Sequence, residues 1–512
     1  MERGVAWKTY TEKDYESLEK VTSGYIEFIS ECKTERTCTL RAIQMAEKAG
    51  YESLEQIIAQ KKTLKPGDKV WADNYGKALI LVQVGENPME DGLNILGAHI
   101  DSPRLDIKQN PVYETKDFAY LDTHYYGGIK SYQWVTMPLA LYGVVVKKDG
   151  TVVDVCVGDN PDDPVFCVTD LLPHLGDEQM KKPGSKVIEG EDLDILVGSK
   201  PLVLSEKDLD AQIELKADAP ETEGTPEADV AEVGTAIAGA LEDDDFNGGA
   251  YGKTLARMAE KQAVKANLLS LLLESYNIEE EDFLSAELEV VPAGKARELG
   301  FDRSMVIGYG QDDRVCAYPS LLAQLEVENP ARTSVCILVD KEEIGSVGAT
   351  GMTSRFFENT IAEVMALAQQ GGDLSLRRAL ARSRMLSSDV SAGYDPTYSS
   401  VFEEKNSAFC GRGLVFNKYV GARGKSGSND ANAEYMAFLR KVMDDASVSY
   451  QTAEIGRVNA GGGGTIAYIL AEYGMSVIDS GVPVLSMHSP WEVTSKADIY
   501  EAYKGYKAFL RA

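Results

Sequence analysis

The most regular pattern in the chain is a series of short, mostly apolar runs that each end at a polar residue. Examples are residues 93–98, 334–339 and 482–487. Apolar runs of this length predict strands that are buried on both faces of a sheet. Longer segments with apolar residues at helical spacing lie between them. One example is 356–370, and the Gly-Gly pair that follows it predicts the end of a helix. The alternation predicts an α/β fold.

The pattern changes between residues 107 and 286. Short strands with polar neighbours are predicted there, at 144–146, 151–155, 186–188 and 194–197. We therefore predict a mainly β domain at 107–286, inserted into a larger domain formed by 1–106 and 287–512. Within the insertion, residues 216–245 are rich in Ala, Glu, Asp, Thr and Pro, a composition typical of an acidic flexible loop.

Two adjacent glutamates, Glu342 and Glu343, follow the strand predicted at 334–339. Neighbouring side chains of a regular strand point to opposite faces. Both carboxylates reach one site only if the chain turns at the strand end, and Gly345 permits such a turn. Two converging acids suit a division of labour in which one binds a metal ion and the other takes a proton from water. For an isolated Glu-Glu pair, the alternative is a solvated turn.

Other strand ends carry groups of the same chemical kind. His99 ends the strand at 93–98, and Asp101 is placed to orient its imidazole, although a packed structural histidine is the alternative. The full set of side chains at predicted strand ends is His99, Asp312, Glu342, Glu343, Asp389 and His488. In open α/β sheets, the ligand crevice lies outside the carboxyl ends of the strands. Two histidines, three carboxylates and a spare glutamate fit two divalent metal ions.

The composition of the chain argues against some classes of binding partner and indicates a cellular compartment. The net charge of -29 argues against nucleic acid and anionic membranes as partners. Seven scattered cysteines without a Cys-x-x-Cys pair favour a reducing compartment. No run approaches the length of a membrane span, and the N-terminus lacks the apolar core of a signal peptide. We therefore predict a cytoplasmic protein.

The ordered motifs resemble those of the aspartyl aminopeptidase family of dinuclear-metal aminopeptidases, over nearly the whole chain. They are His-x-Asp-Ser-Pro at 99–103, Asp-Asp at 312–313, Glu-Glu-x-Gly-Ser at 342–346, Ser-x-Asp at 387–389 and Met-His-Ser at 487–489. The resemblance implies an open mixed β-sheet flanked by helices, as in zinc peptidases. It also implies that 107–286 is a dimerisation domain and that the subunits build a homododecamer from dimers.

The resemblance also implies a ligand set for two metal ions, usually zinc. The ligands would be His99, Asp312, Asp389, Glu343 and His488. His99, Asp312 and Asp389 would hold one ion, and Asp312 would bridge to the second. Glu342 would be the general base, and Asp101 would lie behind His99.

Two substrate-binding residues are implied as well. His174 corresponds to a histidine that reaches the active site of a neighbouring subunit, and a packed histidine is the alternative. Lys418 lies near the position of a basic residue that receives the substrate side chain, and a surface lysine is the alternative. Ala392 stands where members that prefer acidic N-terminal residues carry a further histidine. This departure puts a preference for Asp or Glu in doubt.

The implied activity is metal-dependent hydrolysis of the N-terminal residue from short peptides, with Asp and Glu as candidate residues. One alternative is a dinuclear deacylase or amidase that acts on N-acyl groups. Another is a non-catalytic shell or cargo protein that retains the fold. A spare glutamate beside a complete ligand set argues against the last, because a structural metal site has no use for an unligated base.

Overall fold

The computed structural model describes residues 4–203 and 249–512. The acidic segment predicted at 216–245 lies outside the described residues. The chain forms two compact units. The first comprises the chain up to Arg104, the short segment Tyr126–Lys130 and Gly294–Ala512. The second comprises Leu105–Tyr125 and the described parts of Ser131–Ala293.

The described strands are β1 (Glu52–Ser53), β2 (Lys69–Asn74), β3 (Ala78–Gln83), β4 (Asn94–His99), β5 (Arg104–Thr115), β6 (Phe118–Tyr126), β7 (Leu139–Val146), β8 (Val152–Val157), β9 (Ile195–Gly198), β10 (Ala286–Pro292), β11 (Arg297–Leu299), β12 (Met305–Gly308), β13 (Ser334–Val339), β14 (Arg384–Ser387), β15 (Ser391–Ala392), β16 (Leu414–Asn417), β17 (Tyr450–Ala453), β18 (Ser476–Gly481), β19 (Pro483–Leu485) and β20 (Glu492–Ser495). The described α-helices are α1 (Glu12–Glu31), α2 (Glu35–Lys48), α3 (Leu54–Ala59), α4 (Gly249–Met258), α5 (Ala263–Tyr276), α6 (Gln311–Glu326), α7 (Phe356–Leu367), α8 (Asp373–Ala381), α9 (Ala422–Lys425), α10 (Ala433–Asp445), α11 (Ala467–Ala471) and α12 (Lys496–Leu510).

A large open sheet organises the first unit. Among the described residues its strand order is β1-β2-β3-β13-β4-β14-β18-β16-β17. The strands β13, β4, β14 and β18 pair in parallel, whereas β3 with β13 and β16 with β18 pair antiparallel. Helices flank this mixed sheet, so the predicted fold class is confirmed.

Both faces of the large sheet are covered. In β13, Cys336 and Leu338 join one buried cluster, while Val335, Ile337 and Val339 join another. Successive side chains of a strand point to opposite faces, so each cluster takes every second residue. This burial on both sides explains why the sequence shows an unbroken apolar run instead of alternation.

A second, smaller sheet belongs to the same unit. Its order is β11-β12-β20-β19-β15 within the described part of the chain. The sequence pattern predicted the strand ends but did not indicate a second sheet. The strands β12 and β19, which precede Asp312 and His488, belong to the small sheet. His99 ends β4 of the large sheet, and Glu342 and Asp389 follow β13 and β14 of the same sheet. The pattern missed this because short strands of either sheet look alike in sequence.

The second unit contains the sheet β8-β7-β10-β5-β6-β9, counted over described residues, together with α4 and α5. The strand predicted at 186–188 is wrong, because a 3-10 turn, Gly184–Lys186, and a bend occupy that stretch. Pro183 and Gly184 precede it and Gly190 follows closely, which leaves too few residues for a paired strand. Within the described residues, no helix has the length and apolar character that a membrane crossing requires.

Candidate metal centre

The chain turns sharply where β13 ends. Lys341 adopts a positive φ of 69°, a 3-10 turn spans Glu342–Ile344, and Gly345 follows with φ 96°. Glycine adopts this backbone conformation without the steric cost that a side chain adds. As a result, one carboxylate oxygen of Glu342, one of Glu343 and a ring nitrogen of His99 lie within 4.8 Å of one another.

Asp312 lies between the two imidazoles. Its Oδ1 is 3.2 Å from His99 Nε2, and its Oδ2 is 3.2 Å from His488 Nε2. The residue sits at the start of α6, where the backbone of Asp312 and Asp313 departs from helical geometry and the peptide bond between them is cis. A carboxylate that offers one oxygen to each side has the arrangement of a bridging metal ligand.

The candidate ligands form three overlapping groups, each with donor atoms within 4.8 Å of one another. They are His99 with Asp312 and Asp389, His99 with Glu342 and Glu343, and Asp312 with Glu343 and His488. Oε1 of Glu343 is buried and has no hydrogen-bond partner among the described residues. A buried carboxylate oxygen without a donor is costly unless a cation meets it. The mixed imidazole and carboxylate set suits zinc, so the residues present fit two metal ions.

Hydrogen bonds on the far side of each imidazole fix its orientation. His99 Nδ1 lies 3.2 Å from Asp101 Oδ1, and His488 Nδ1 lies 2.8 Å from the carbonyl oxygen of Gly128. A proton on Nδ1 satisfies either acceptor, so Nε2 is the nitrogen that would bind a metal ion once its own proton is displaced. Asp101 also accepts hydrogen bonds from the backbone amides of Glu342 and Glu343, both at 3.1 Å.

Sequence reasoning missed Glu492 and Tyr126. The buried carboxylate of Glu492 accepts hydrogen bonds from the amides of His488, at 2.7 Å, and of Asp312, at 3.0 Å. No pattern in the sequence around Glu492 indicates that this residue belongs to the site. The Tyr126 hydroxyl donates to Asp101 Oδ2 at 2.8 Å. The glycine pair that follows Tyr126 is a signal of close backbone approach that could have drawn attention to this strand end.

Burial of several carboxyl groups together changes their protonation. Burial raises the pKa of Glu342 to about 7 and the pKa of Glu343 and Asp389 well above their usual range. Asp312 behaves in the opposite way. Burial would raise its pKa, but hydrogen bonds from His488 and His99 outweigh burial and hold the pKa below its usual range. Without a metal ion, Glu343 and Asp389 are therefore protonated at neutral pH, Glu342 is partly protonated and Asp312 is ionised.

Both imidazoles hold protons in the metal-free state as well. Burial opposes the charge of His488, but the contact with Asp312 prevails and raises the pKa to about 10. Burial is also outweighed at His99, where hydrogen bonds to Asp101 and Asp312 raise the pKa well above its usual value.

We expect zinc affinity to rise with pH. Metal binding displaces protons from groups whose pKa is raised in the metal-free protein, so lower pH favours the protonated, empty site. Between pH 6 and pH 8 the apparent affinity should increase by at least about tenfold. Calorimetric titration of the metal-free protein in two buffers of different ionisation enthalpy measures the released protons directly. Equal heats in both buffers would contradict the expectation.

The two predicted substrate-binding residues, Lys418 and His174, are not members of these ligand groups. Lys418 follows β16, and its ammonium pairs with Asp430 Oδ1 at 2.7 Å, while Lys425 pairs with the other oxygen of Asp430 at 2.9 Å. His174 belongs to the second unit, where it is exposed on the 3-10 turn Pro173–Leu175. Ala392 lies in β15 of the small sheet.

Comparison with known proteins identifies the family to which a chain with this cluster belongs. Residues 28–510 match the family of aminopeptidase I zinc metalloproteases, M18. The chain belongs to this family. The predicted resemblance is therefore confirmed, and the enzyme is a zinc-dependent metalloaminopeptidase, a hydrolase. The deacylase and the non-catalytic alternatives are not favoured.

Relatives match over nearly their full length. A probable M18 family aminopeptidase 1 of Clostridium acetobutylicum is 55% identical over 505 residues, which cover 99% of this chain and 97% of the relative. The crystal structure of an M18 aminopeptidase from Thermotoga maritima superimposes with a TM-score of 0.85 at 38% identity, covering 100% of this chain and 99% of the other. The S. cerevisiae mApe1 dodecamer shares the fold with a TM-score of 0.69 at 18% identity, over 96% of each chain.

Proposed function

We propose that this M18 enzyme removes the N-terminal residue from short peptides with a free α-amino group, at a two-zinc site centred on Asp312. The observation that carries the proposal is the position of Asp312, which contacts His99 with one oxygen and His488 with the other, each at 3.2 Å. In this arrangement His99, Asp312 and Asp389 would hold one zinc ion. Asp312, Glu343 and His488 would hold the second.

Glu342 is proposed as the general base. Bound zinc would supply Lewis acidity toward the peptide carbonyl and would lower the pKa of water at the site. The Glu342 carboxylate takes a proton from the water that attacks the carbonyl carbon, and it returns the proton to the amine nitrogen when the C–N bond breaks. In the metal-free protein burial raises the pKa of Glu342 to about 7, and bound zinc would lower it, so that the carboxylate would be ready to accept a proton near neutral pH.

The neighbouring Glu343 is less suited to the base role. Its side chain is 3% exposed and lies 3.6 Å from His488 Nε2, whereas the Glu342 side chain is 15% exposed and lies 3.9 Å from His99 Nε2. The more exposed carboxylate has the better access to a substrate. This difference supports the assignment of Glu343 as a ligand and Glu342 as the proton carrier, with Asp101 orienting His99.

Lys418 is the proposed contact for an acidic N-terminal side chain. Its ammonium is already paired with Asp430 at 2.7 Å. An Asp or Glu residue of the substrate would compete with Asp430 for this charge, and the histidine of acid-preferring members is absent at Ala392. The candidate preference for Asp or Glu is accordingly weaker than in those members.

Assembly is proposed to complete the site. We infer that the second unit serves dimerisation, that dimers form a homododecamer, and that His174 reaches the site of a neighbouring copy. Leu172 and Leu175, both at least half exposed, flank His174 and provide apolar surface for a protein contact. The dodecameric S. cerevisiae structure of the same fold supports the assembly.

A cytoplasmic location is proposed for the enzyme. All seven cysteines, which lie in the described part of the chain, are free thiols. Free thiols of this number persist in a reducing compartment.

A panel of peptides tests the activity. The zinc-loaded enzyme should cleave peptides that begin with Asp, Glu, Lys or Leu and carry a free amine, and N-acetylation of the same peptides should abolish cleavage. Removal of metal with a chelator should abolish turnover, and added zinc should restore it. Cleavage restricted to the acetylated peptides would overturn the proposed function. The ratio of kcat/KM between the Asp and Leu peptides then measures the preference at Lys418.

A further inference from the structure

The segment Tyr126–Gly128 supports both candidate histidine ligands, His99 through Asp101 and His488 directly. Tyr126 is the last residue of β6, and the rest of β6 belongs to the second unit. Tyr126 itself lies with the first unit, as part of Tyr126–Lys130. Two hydrogen bonds connect this segment to the imidazoles: the Tyr126 hydroxyl donates to Asp101, and the Gly128 carbonyl accepts from His488.

One hydrogen bond reaches His99 through Asp101. The Tyr126 hydroxyl donates to Asp101 Oδ2 at 2.8 Å, and Asp101 Oδ1 lies 3.2 Å from His99 Nδ1. Asp101 is fully buried and Tyr126 is 8% exposed. The guanidinium of Arg104 stacks on the Tyr126 ring at 3.9 Å and also pairs with Glu35 at 3.3 Å. The tyrosine ring is therefore held in place independently of its hydroxyl.

The other hydrogen bond reaches His488 directly. Its Nδ1 lies 2.8 Å from the carbonyl oxygen of Gly128. A Cβ atom at Gly128 would lie 3.3 Å from His488 Nδ1, and a Cβ atom at Gly127 would lie 3.3 Å from Glu343 Oε2. Gly127 also has a positive φ of 75°. Both positions place backbone where a side chain would press on a candidate ligand.

We propose that the Tyr126–Gly128 segment sets the direction of both imidazoles and thereby the zinc affinity, with Tyr126 as a positioning residue. The inference rests on the proposed ligand set. Groups that orient a metal-binding imidazole typically contribute 10–100-fold to metal affinity. Because Tyr126 acts on His99 and Gly128 acts on His488, changes at the two positions should affect different zinc ions.

The test is zinc affinity of the metal-free, full-length protein, measured by competition with a chromogenic chelator. Tyr126→Phe retains the ring over Arg104 and removes only the donor to Asp101. We expect this variant to lower the zinc affinity of the site that contains His99 by about tenfold. Tyr51→Phe is the matched control, because Tyr51 is also buried and its hydroxyl donates to the carbonyl oxygen of Gln324 instead, at 3.0 Å.

A second variant separates the two sites. Gly128→Ala should weaken the His488 site several-fold, with Gly198→Ala as control because no atom lies within 4 Å of a Cβ at that position. Absorption spectra of the cobalt-substituted proteins should change for Tyr126→Phe and Gly128→Ala and stay unchanged for the two controls. A purely structural role of the segment would instead lower the melting temperature of the metal-free protein and leave the spectra unaltered.

His99→Ala distinguishes a failure of this inference from a failure of the proposed site. If His99→Ala retains both zinc ions, the ligand assignment is wrong and the inference falls with it. If His99→Ala loses zinc while Tyr126→Phe binds it within threefold of Tyr51→Phe, only the positioning role is overturned. If the zinc affinity falls by more than threefold in Tyr126→Phe and is unchanged in Tyr51→Phe, the positioning role of Tyr126 is supported.

Discussion

Replacement of Asp312 by asparagine is expected to empty both zinc sites. Asp312 contacts His99 through one oxygen and His488 through the other. Asparagine retains the shape but offers a single neutral oxygen, so it cannot bridge two cations. The affinity of each site should fall by more than the roughly 10–100-fold that outer hydrogen-bond partners contribute. Zinc content after dialysis and peptide turnover measure the two effects.

Asp302→Asn is the control for this change. Asp302 lies ten residues earlier in the chain, is exposed and accepts hydrogen bonds from Ser304, so its variant should keep zinc and turnover. If Asp312→Asn retained two zinc ions per subunit, Asp312 would not be the bridging ligand. Loss of one ion alone would place Asp312 in one site and not in both.

Replacement of Glu342 by glutamine is expected to lower kcat by about 10²–10⁴-fold, the range that general acid–base catalysis contributes. Glutamine has no proton-accepting carboxylate, although it preserves side-chain length and the backbone hydrogen bond from the Glu342 amide to Asp101. Zinc content should stay near that of the wild type, because Glu342 is not among the proposed ligands.

The ratio of turnover to zinc content decides the role of Glu342. The exposed Glu328 provides a matched Glu→Gln control that should change neither quantity. Near-normal turnover of Glu342→Gln would remove the residue from the proton-transfer role. Parallel loss of zinc and turnover would make Glu342 a ligand, and Glu343 would then become the candidate base.

Local patterns in the sequence were sufficient for the elements that carry the candidate site. The run at 334–339 predicted β13 with the bounds that the structure has, because a strand covered on both faces admits few polar residues. The turn expected at Gly345 is present, since a positive φ at that position selects glycine. The resemblance then supplied the family, which no single motif would have established.

Long-range contacts could not be predicted in the same way. Glu492 supports Asp312 and His488 from the start of β20, yet a glutamate at a strand end is ordinarily a surface residue. Tyr126 is distant in the chain from the other site residues, and its role depends on a hydroxyl that meets Asp101 only after folding. The division of the site between two sheets depends on strand pairing, which periodicity does not encode.

This division has a consequence for the order of maturation. The proposed donors come from loops of two separate sheets, so a newly made chain has no complete zinc pocket until both sheets have formed and met. Ion capture is then a late event that bonds the two sheets across a long stretch of chain, and the free energy of capture strengthens their junction. The metal-free enzyme would retain its buried apolar layers but would lack the stabilisation that zinc binding adds between the two sheets.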